Sequence, residues 1–295
     1  MKLASFHLDG VPGYGVVRDG QVLPADNAMR ARWPTLRTAI AGNGLPELAD
    51  LGSGGVPLDQ VVLDLPIPDP GKIICVGRNY GEHVREGGRE APDYPMLFAR
   101  FPSSFVPHGG ALVRPFHSDR FDYEGELACI IGRPARHVPE LEALSYVAGY
   151  TCLNEGSIRD WQRHTGQMMP GKNFWRSGAM GPFLVTADEV PDPATLTLVT
   201  WLNGEEVQRS STGAMIFPIP RIIEYVTSFI DLQPGDVLAT GTPSGVALYR
   251  SPQRFLEAGD TIEVEIGSVG HLRNTVDDEA SKTGGSTPNR SALTR

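Results

Sequence analysis

Short apolar runs separated by turn residues recur along this sequence, and few of them have a helical pattern between them. Such runs predict strands at residues 72–77, 127–131, 150–153 and 196–202, with another near 183–185. The chain has 295 residues, of which 34 are glycines and 25 are prolines, and this is typical of turn-rich β or α+β proteins. We therefore predict a β-rich α+β fold and exclude a doubly wound parallel sheet.

Tight-turn signals lie between several of these runs. Asp19-Gly20 and Asn203-Gly204 tolerate positive φ, so each predicts a β-hairpin. Residues 260–276 alternate around glycines and predict another hairpin. Residues 220–230 instead have apolar positions at helical spacing after a proline that suits the first helical turn, and predict an amphipathic helix.

The length suggests roughly two structural units at about 150 residues per domain. Closely spaced prolines interrupt any regular element within 66–70, which predicts a boundary between a small N-terminal domain (1–65) and a main domain (66–276). Residues 277–295 are mostly polar and cannot bury enough apolar surface to offset the entropy of ordering. They are predicted to form a disordered tail.

Charge and cysteine content limit the class of protein. The 26 Lys and Arg against 35 Asp and Glu give a net charge of −9, which argues against a nucleic-acid binder or an anionic-membrane binder. No apolar run reaches the roughly 18–20 residues of a membrane span, and no secretory signal is evident. Cys75, Cys129 and Cys152 form no CxxC motif and lie among apolar residues, as expected for free thiols in a reducing compartment. We therefore expect a cytoplasmic protein.

Glu124 and Glu126 are candidate metal ligands. On a strand they would point to one face about 7 Å apart, where two carboxylates repel unless a cation lies between them. A solvent-facing strand with two unrelated charges is the alternative for this motif alone.

Glu155 follows an apolar run and could add a third carboxylate. Alternatively, it is a first-turn acid of a helix that Asn154 or Ser157 caps.

A histidine and a glutamate lie three residues apart in the segment 77–88. Asn79 and Glu82 have capping-box spacing, so a short helix is expected, and His83 and Glu86 would share one of its faces. A carboxylate beside an imidazole orients a general base, and the flanking glycines suit a movable lid. The alternative is an ordinary surface pair.

Two further segments are candidate binding elements. Lys172 follows Pro170-Gly171, and 240–246 is a glycine- and threonine-rich turn whose N–H groups could hold a carboxylate. A purely structural turn is the alternative for 240–246. The chain has no GxSxG elbow, no HExxH helix and no cysteine–histidine cluster, so serine-hydrolase and zinc sites are not expected.

Taken together, these segments resemble the fumarylacetoacetate hydrolase family over roughly residues 70–276. The matching residues, in order, are Val76-Gly77-Arg78-Asn79-Tyr80 with His83 and Glu86, Asp122-Tyr123-Glu124-Gly125-Glu126, Gly149-Tyr150-Thr151 with Asn154 and Arg159-Asp160, Gly171-Lys172, Gly181-Pro182 with Thr186-Ala187-Asp188-Glu189, and Thr240-Gly241-Thr242-Pro243. Ordered matches over two hundred residues are more specific than any single motif.

The resemblance implies a β-roll-like core of mixed strands with a small N-terminal α/β domain, usually in a homodimer, and a Mg²⁺ or Mn²⁺ site. By position, Glu124 and Glu126 are implied as metal ligands. The family usually has Asp after the Asn, where this chain has Glu155, so the third ligand is one methylene longer.

The same matching assigns roles to other residues. It implies His83 and Glu86 as a lid dyad that activates water, Lys172 as the group that stabilises an oxyanion, and three substrate contacts: Arg78, Gln162 and Thr242. The implied reaction is hydrolysis of a C–C bond in a 2,4-dioxo acid (an acylpyruvate or fumarylpyruvate-like compound) to a carboxylate and a 2-oxo acid. Decarboxylation, hydration or isomerisation of an oxo acid, and a non-catalytic interaction module, are the alternatives.

Overall fold

The computed structural model describes residues 1–52 and 54–280. Its strands are β1 (Lys2–Leu8), β2 (Val11–Arg18), β3 (Gln21–Pro24), β4 (Val56–Pro57), β5 (Val62–Leu63), β6 (Ile73–Gly77), β7 (Met96–Arg100), β8 (Phe105–Val106), β9 (Leu112–Arg114), β10 (Phe121–Asp122), β11 (Gly125–Ile131), β12 (Val147–Asn154), β13 (Ser157–Ile158), β14 (Gly178–Thr186), β15 (Thr197–Leu202), β16 (Glu205–Ser211), β17 (Val237–Ala239), β18 (Thr261–Ile266) and β19 (Gly270–Asp278). The α-helices are α1 (Asn27–Arg32), α2 (Leu36–Ala41), α3 (Leu45–Ala49), α4 (Gly81–Glu86), α5 (Met169–Lys172) and α6 (Ile219–Phe229).

A large mixed sheet and a smaller one form the body of the molecule. The large sheet has the order β4-β3-β2-β1-β14-β12-β11-β17-β6-β7, with β5 beside β1 and β8 beside β14. The smaller sheet has the order β16-β15-β18-β19-β9. Most neighbours are antiparallel, whereas β17 runs parallel to β6. The predicted β-rich α+β class is confirmed.

Local predictions of strands and turns agree with this architecture. Asp19-Gly20 joins β2 to β3, and Asn203-Gly204 joins β15 to β16 with φ of 52° and 81°. β18 and β19 form the hairpin predicted over 260–276. The predicted helix is α6, which buries Ile222, Ile223 and Val226 against the main core because they lie on one face.

The N-terminal strands join the large sheet of the rest of the chain. β1 pairs with β14 through Lys2↔Val185 and Leu3↔Leu184, so the first 65 residues do not form a sheet of their own. At the other end, β19 continues through Asp278, which pairs with Arg114, so the start of the predicted tail lies in a strand. The remainder of that tail, 281–295, lies outside the described residues. Within 1–52 and 54–280, no helix is long and apolar enough to cross a membrane.

The central strands bring four distant segments to one edge of the large sheet. β11 starts and β12 ends there because the two strands are antiparallel, with Gly125 opposite Asn154. β17 and β6 both end at that edge, since they run parallel to each other and β17 is antiparallel to β11. The loop after β17 and helix α4 after β6 therefore face the segments around β11 and β12.

Candidate active site

Three buried carboxylates form the floor of this edge. Glu124 and Glu126 flank Gly125, Glu155 follows β12, and one oxygen of each lies within 4.8 Å of the others. Two hydrogen bonds hold the segments together: Glu155 N–H donates to Glu124 O at 2.8 Å, and Glu124 N–H donates to Asn154 Oδ1 at 3.0 Å. Burial excludes the solvent-facing alternative for the glutamate pair. Glu155 lies in no helix, so it is not a first-turn acid.

Two buried cations partly neutralise the triad. Lys172 Nζ donates to Glu124 Oε2 at 2.5 Å and to Glu155 Oε2 at 2.9 Å, and an Arg159 terminal nitrogen lies 2.6 Å from Glu124 Oε1. Burial raises the pKa of Glu124, but Lys172 and Arg159 outweigh it, so the net pKa lies below the usual range. Burial lowers the pKa of Lys172, but Glu124 and Glu155 outweigh that effect and raise it overall.

Glu126 has no ion-pair partner among the described residues, although Gly241 N–H donates to its Oε2 at 2.8 Å. Burial, then the charges of Glu155 and Glu124, raises the pKa of Glu126 well above its usual range. Oε1 of Glu155 is buried and has no hydrogen-bond partner among the described residues. An unpartnered oxygen and mutually repelling carboxylates suit a hard divalent cation, which takes oxygen ligands. The donor set therefore fits the predicted Mg²⁺ or Mn²⁺.

His83 and Glu86 form the predicted pair on α4. His83 Nδ1 lies 2.7 Å from Glu86 Oε1, and the other oxygen of Glu86 accepts a hydrogen bond from Gly245 N–H at 3.0 Å. A proton on Nδ1 would be held by the carboxylate, which leaves Nε2 as the lone-pair nitrogen. The second contact also ties α4 to the loop after β17.

Asn79 does not cap that helix, and the capping-box prediction is wrong. Tyr80 occupies the N-cap position, and no side chain within the described part of the chain caps α4. The buried Asn79 amide donates instead to Phe217 O at 2.9 Å and Thr240 O at 2.8 Å. Distant backbone acceptors thus outcompete the local interaction, and Asn79 fixes the turn before the helix.

A cavity of about 310 Å³ brings the predicted residues together. Its lining includes eight of them: Arg78, His83, Glu124, Glu126, Glu155, Gln162, Lys172 and Thr242. Glu86, the ninth, is not in this lining and holds His83 through its Oε1. The same lining contains Arg89, Arg159 and Arg163, for which the sequence predicted no role because a lone arginine gives no local signal.

The predicted substrate contacts differ in how much of their polar surface is free. Gln162 Oε1 accepts from Arg159 at 3.1 Å, and its nitrogen donates to the Met168 sulfur at 3.3 Å. The Thr242 hydroxyl donates to Gly125 O and accepts from Gln208, both at 2.9 Å, so its proton is already used. Arg78 has a φ of 58°, and burial followed by the charge of Arg89 lowers its pKa.

Asp122 is a buried hydrogen-bond acceptor that positions Arg159, and its place in the sequence motif did not reveal this role. It is fully buried and accepts from Ala247 N–H at 2.8 Å, Leu248 N–H at 3.0 Å and Arg159 Nε at 2.7 Å. Arg159 is therefore fixed between Asp122 and Glu124.

A mixed sheet that carries a buried carboxylate triad and a His–Glu pair at one edge defines the general class of this protein, a β-rich α+β protein with an acidic pocket. Residues 72–277 match the sequence family described as fumarylacetoacetate (FAA) hydrolase C-terminal. The chain belongs to the fumarylacetoacetate hydrolase family, and the resemblance is confirmed.

Relatives and solved structures support the same placement. The chain is 40% identical over 222 residues to the mitochondrial oxaloacetate tautomerase of Rattus norvegicus, covering 75% of this chain and 71% of that protein. The fumarylacetoacetate hydrolase structure from Exiguobacterium antarcticum has a TM-score of 0.81 and 34% identity, and covers 95% of this chain and 100% of that one. The maleylpyruvate hydrolase structure from Sphingobium sp. SYK-6, in complex with manganese(II) and pyruvate, has a TM-score of 0.77 and 30% identity at the same coverage. The family thus includes enzymes named as hydrolases and tautomerases.

Proposed function

We propose that this protein is a divalent-metal-dependent enzyme that hydrolyses a C–C bond of a 2,4-dioxo acid, such as an acylpyruvate or a fumarylpyruvate-like compound. The observation that carries the proposal is that a carboxylate-bound histidine, His83, lines the same pocket as the acidic triad and Lys172. A general base, a cation-binding floor and a buried ammonium are the groups that such a reaction uses.

Glu124, Glu126 and Glu155 would hold Mg²⁺ or Mn²⁺. When bound, the cation supplies Lewis-acid stabilisation of negative charge on substrate oxygens. The manganese(II) and pyruvate in the related maleylpyruvate hydrolase support this choice of metal and of product.

Arginines around the cavity favour an anionic substrate. Arg78, Arg89 and Arg163 line the cavity, and the last two are exposed. Guanidinium groups bind carboxylates with paired, charge-assisted hydrogen bonds. The pocket therefore combines a floor of carboxylates, which would bind the metal ion, with walls that contain arginines, which would bind the carboxylate of a small oxo acid.

Proton transfers follow from the positions of His83 and Lys172. His83 Nε2 would take a proton from water while the water oxygen attacks the C4 carbonyl carbon, and Glu86 stabilises the resulting imidazolium. The C3–C4 bond then breaks, its electron pair stays with C3, and a proton returns to C3, which gives a carboxylic acid and a 2-oxo acid. Lys172 uses two of its three N–H donors on Glu124 and Glu155, so one is left for the oxyanion formed at C4.

A second candidate is keto–enol tautomerisation of a 2-oxo dicarboxylate such as oxaloacetate. The 40% identity with the oxaloacetate tautomerase of Rattus norvegicus favours it. In that reaction, His83 would move a proton between C3 and the 2-oxo oxygen, and no water would be consumed.

Product analysis distinguishes the two reactions. Metal-stripped protein, supplemented with Mn²⁺ or Mg²⁺, would be incubated with acylpyruvates and with oxaloacetate, and products followed by NMR while the absorbance of the oxaloacetate enol is recorded. Equimolar pyruvate and carboxylate from an acylpyruvate support the hydrolase. Rapid enol–keto conversion without C–C cleavage supports the tautomerase, and no metal-stimulated turnover of either kind refutes both.

We further propose that the protein is a cytoplasmic homodimer. Three aromatic residues are each at least 58% exposed, as is common at subunit contacts, and this supports a dimer: Tyr94, Trp175 and Phe229. The three buried cysteines are free thiols, which supports a reducing compartment such as the cytoplasm. Light scattering after size exclusion measures the mass, and a monomer at micromolar concentration would contradict the dimer.

A further inference from the structure

One side-chain amide joins the two sheets beside the carboxylate triad. Gln208 on β16 is only 2% exposed, and its Oε1 accepts from Gly125 N–H at 2.9 Å. Its Nε2 donates to Thr242 Oγ1 and to Pro243 O, both at 2.9 Å, so both N–H donors of the amide are used. Gln208, a residue of the smaller sheet, is thereby hydrogen-bonded to the start of β11 and to the loop after β17.

These contacts close into a ring around Gly125. Thr242 Oγ1 donates back to Gly125 O at 2.9 Å, so Gln208 holds the N–H and Thr242 holds the carbonyl of the same residue, while Gln208 and Thr242 bond each other. Gly125 cannot carry a side chain here, because a Cβ would lie 2.1 Å from Thr200 Oγ1. The peptide groups on both sides of Gly125 are therefore fixed.

Gly125 connects this ring of hydrogen bonds to two of the three carboxylates. It is the single residue between Glu124 and Glu126, so a rotation about its backbone would change the separation of the two carboxylates. The loop that contains Thr242 also presents Gly245 N–H to Glu86, the partner of His83. A disturbance of the ring would therefore reach both the carboxylate triad and the His83–Glu86 pair on α4.

We infer that Gln208 is a positioning residue that sets the spacing of Glu124 and Glu126 for divalent-metal binding. The inference rests on the metal site of the proposed function. Gln208 does not line the cavity, so it acts through Gly125 and Thr242 rather than on substrate. Groups that orient metal ligands in this way typically change metal affinity about 10- to 100-fold when removed.

Calorimetric titration of metal-stripped protein with Mn²⁺, without substrate, tests the inference. Gln208→Met keeps the length of the side chain but removes all three hydrogen bonds, and we expect Kd to rise about 10-fold or more. Thr242→Val removes the hydroxyl that bonds Gln208 and Gly125 O in the same ring, and it should also raise Kd. The double variant should bind no more weakly than the worse single variant, because both remove one cooperative unit.

Thr200→Ser is the matched control. Thr200 pairs with Gln208 across β15 and β16 and is also buried, its hydroxyl has no hydrogen-bond partner among the described residues, and serine keeps the oxygen that packs against Gly125. Its Kd should equal that of the wild type.

Each outcome decides the inference. A Gln208→Met variant that melts at lower temperature but binds Mn²⁺ as tightly as wild type shows a merely structural role and overturns it. If that variant does not fold, Thr242→Val decides in the same way. A wild-type protein that binds no Mn²⁺ refutes the proposed metal site, and the inference with it, whereas weakened binding in the ring variants alone supports it.

Discussion

Replacing Glu155 with Gln should destabilise the metal-free protein by a few kcal/mol and remove most of its divalent-metal binding. The substitution keeps the shape of the side chain and deletes its charge. In the structure, Glu155 Oε2 accepts a hydrogen bond from Lys172 Nζ at 2.9 Å, and oxygens of Glu155, Glu124 and Glu126 lie within 4.8 Å of one another. Because the raised pKa of Glu126 favours its neutral form, the substitution removes one full attraction, to Lys172, and one full repulsion, from Glu124.

The attraction exceeds the repulsion, so the substitution has a net cost in stability. At an effective dielectric constant of about 20, unit charges 2.9 Å apart interact by about 6 kcal/mol, and those 4.8 Å apart by about 3.5 kcal/mol. Losing an attraction of about 6 and a repulsion of about 3.5 kcal/mol lowers the free energy of unfolding by about 2.5 kcal/mol. The expected fall in Tm is roughly 5–10 °C for a chain of this size.

Metal binding should also respond strongly, because one of three charged ligands is lost. We expect Kd for Mn²⁺ to rise by about 100-fold, the upper end of what even indirect changes around metal sites produce. At a free Mn²⁺ concentration about 100 times the wild-type Kd, the wild type gains about 2.7 kcal/mol of stability and the variant only about 0.4 kcal/mol. Scanning calorimetry with and without Mn²⁺, and direct titration, measure both quantities.

Glu155→Asp is the matched control, since it keeps the charge and restores the residue that the family usually has at this position. It should retain Mn²⁺ binding. Wild-type affinity in Glu155→Gln would refute ligation by Glu155. A metal-free Glu155→Gln protein as stable as wild type would show instead that repulsion between the carboxylates cancels the attraction to Lys172.

Three further predictions concern the base, the metal ligands and the pocket wall. His83→Ala should lower the rate of C–C hydrolysis about 100-fold or more but spare metal-promoted decarboxylation of oxaloacetate, and chromatography of the products measures both rates. A parallel loss of both activities would argue against activation of water by His83. Glu124→Gln and Glu126→Gln should each abolish measurable Mn²⁺ binding in calorimetric titration without unfolding the protein by circular dichroism, and unchanged affinity in both would remove the site. Arg89→Gln should raise KM for an anionic substrate about 3- to 10-fold in steady-state assays. Arg85 is an exposed residue of α4 outside the cavity lining, so Arg85→Gln should leave KM unchanged. Equal KM values in the two variants would contradict a role for Arg89.

Local sequence was sufficient for most elements and for the pair on α4. Alternation and turn residues depend on neighbours a few positions away, so β15, β16 and the Asn203-Gly204 turn between them could be predicted from the sequence. His83 and Glu86 are likewise one helical turn apart, and their 2.7 Å contact follows from helix geometry. The same local logic failed at Asn79, where carbonyls from two distant loops offered better acceptors than the first turn of the helix.

Contacts between distant parts of the chain needed the tertiary structure. Lys172 lies between Glu124 and Glu155 only because the antiparallel register of β11 and β12 sets Gly125 opposite Asn154, and no spacing along the chain encodes that meeting. Gln208 gave no signal at all, since an isolated polar residue in a strand of another sheet reveals its partners only once the sheets pack. The sequence alone determined which short segments become strands, turns and helices, because those choices depend on local backbone preference and periodicity. Only the packed sheets decided which side chains share a pocket, because burial and register bring together residues that the chain keeps far apart.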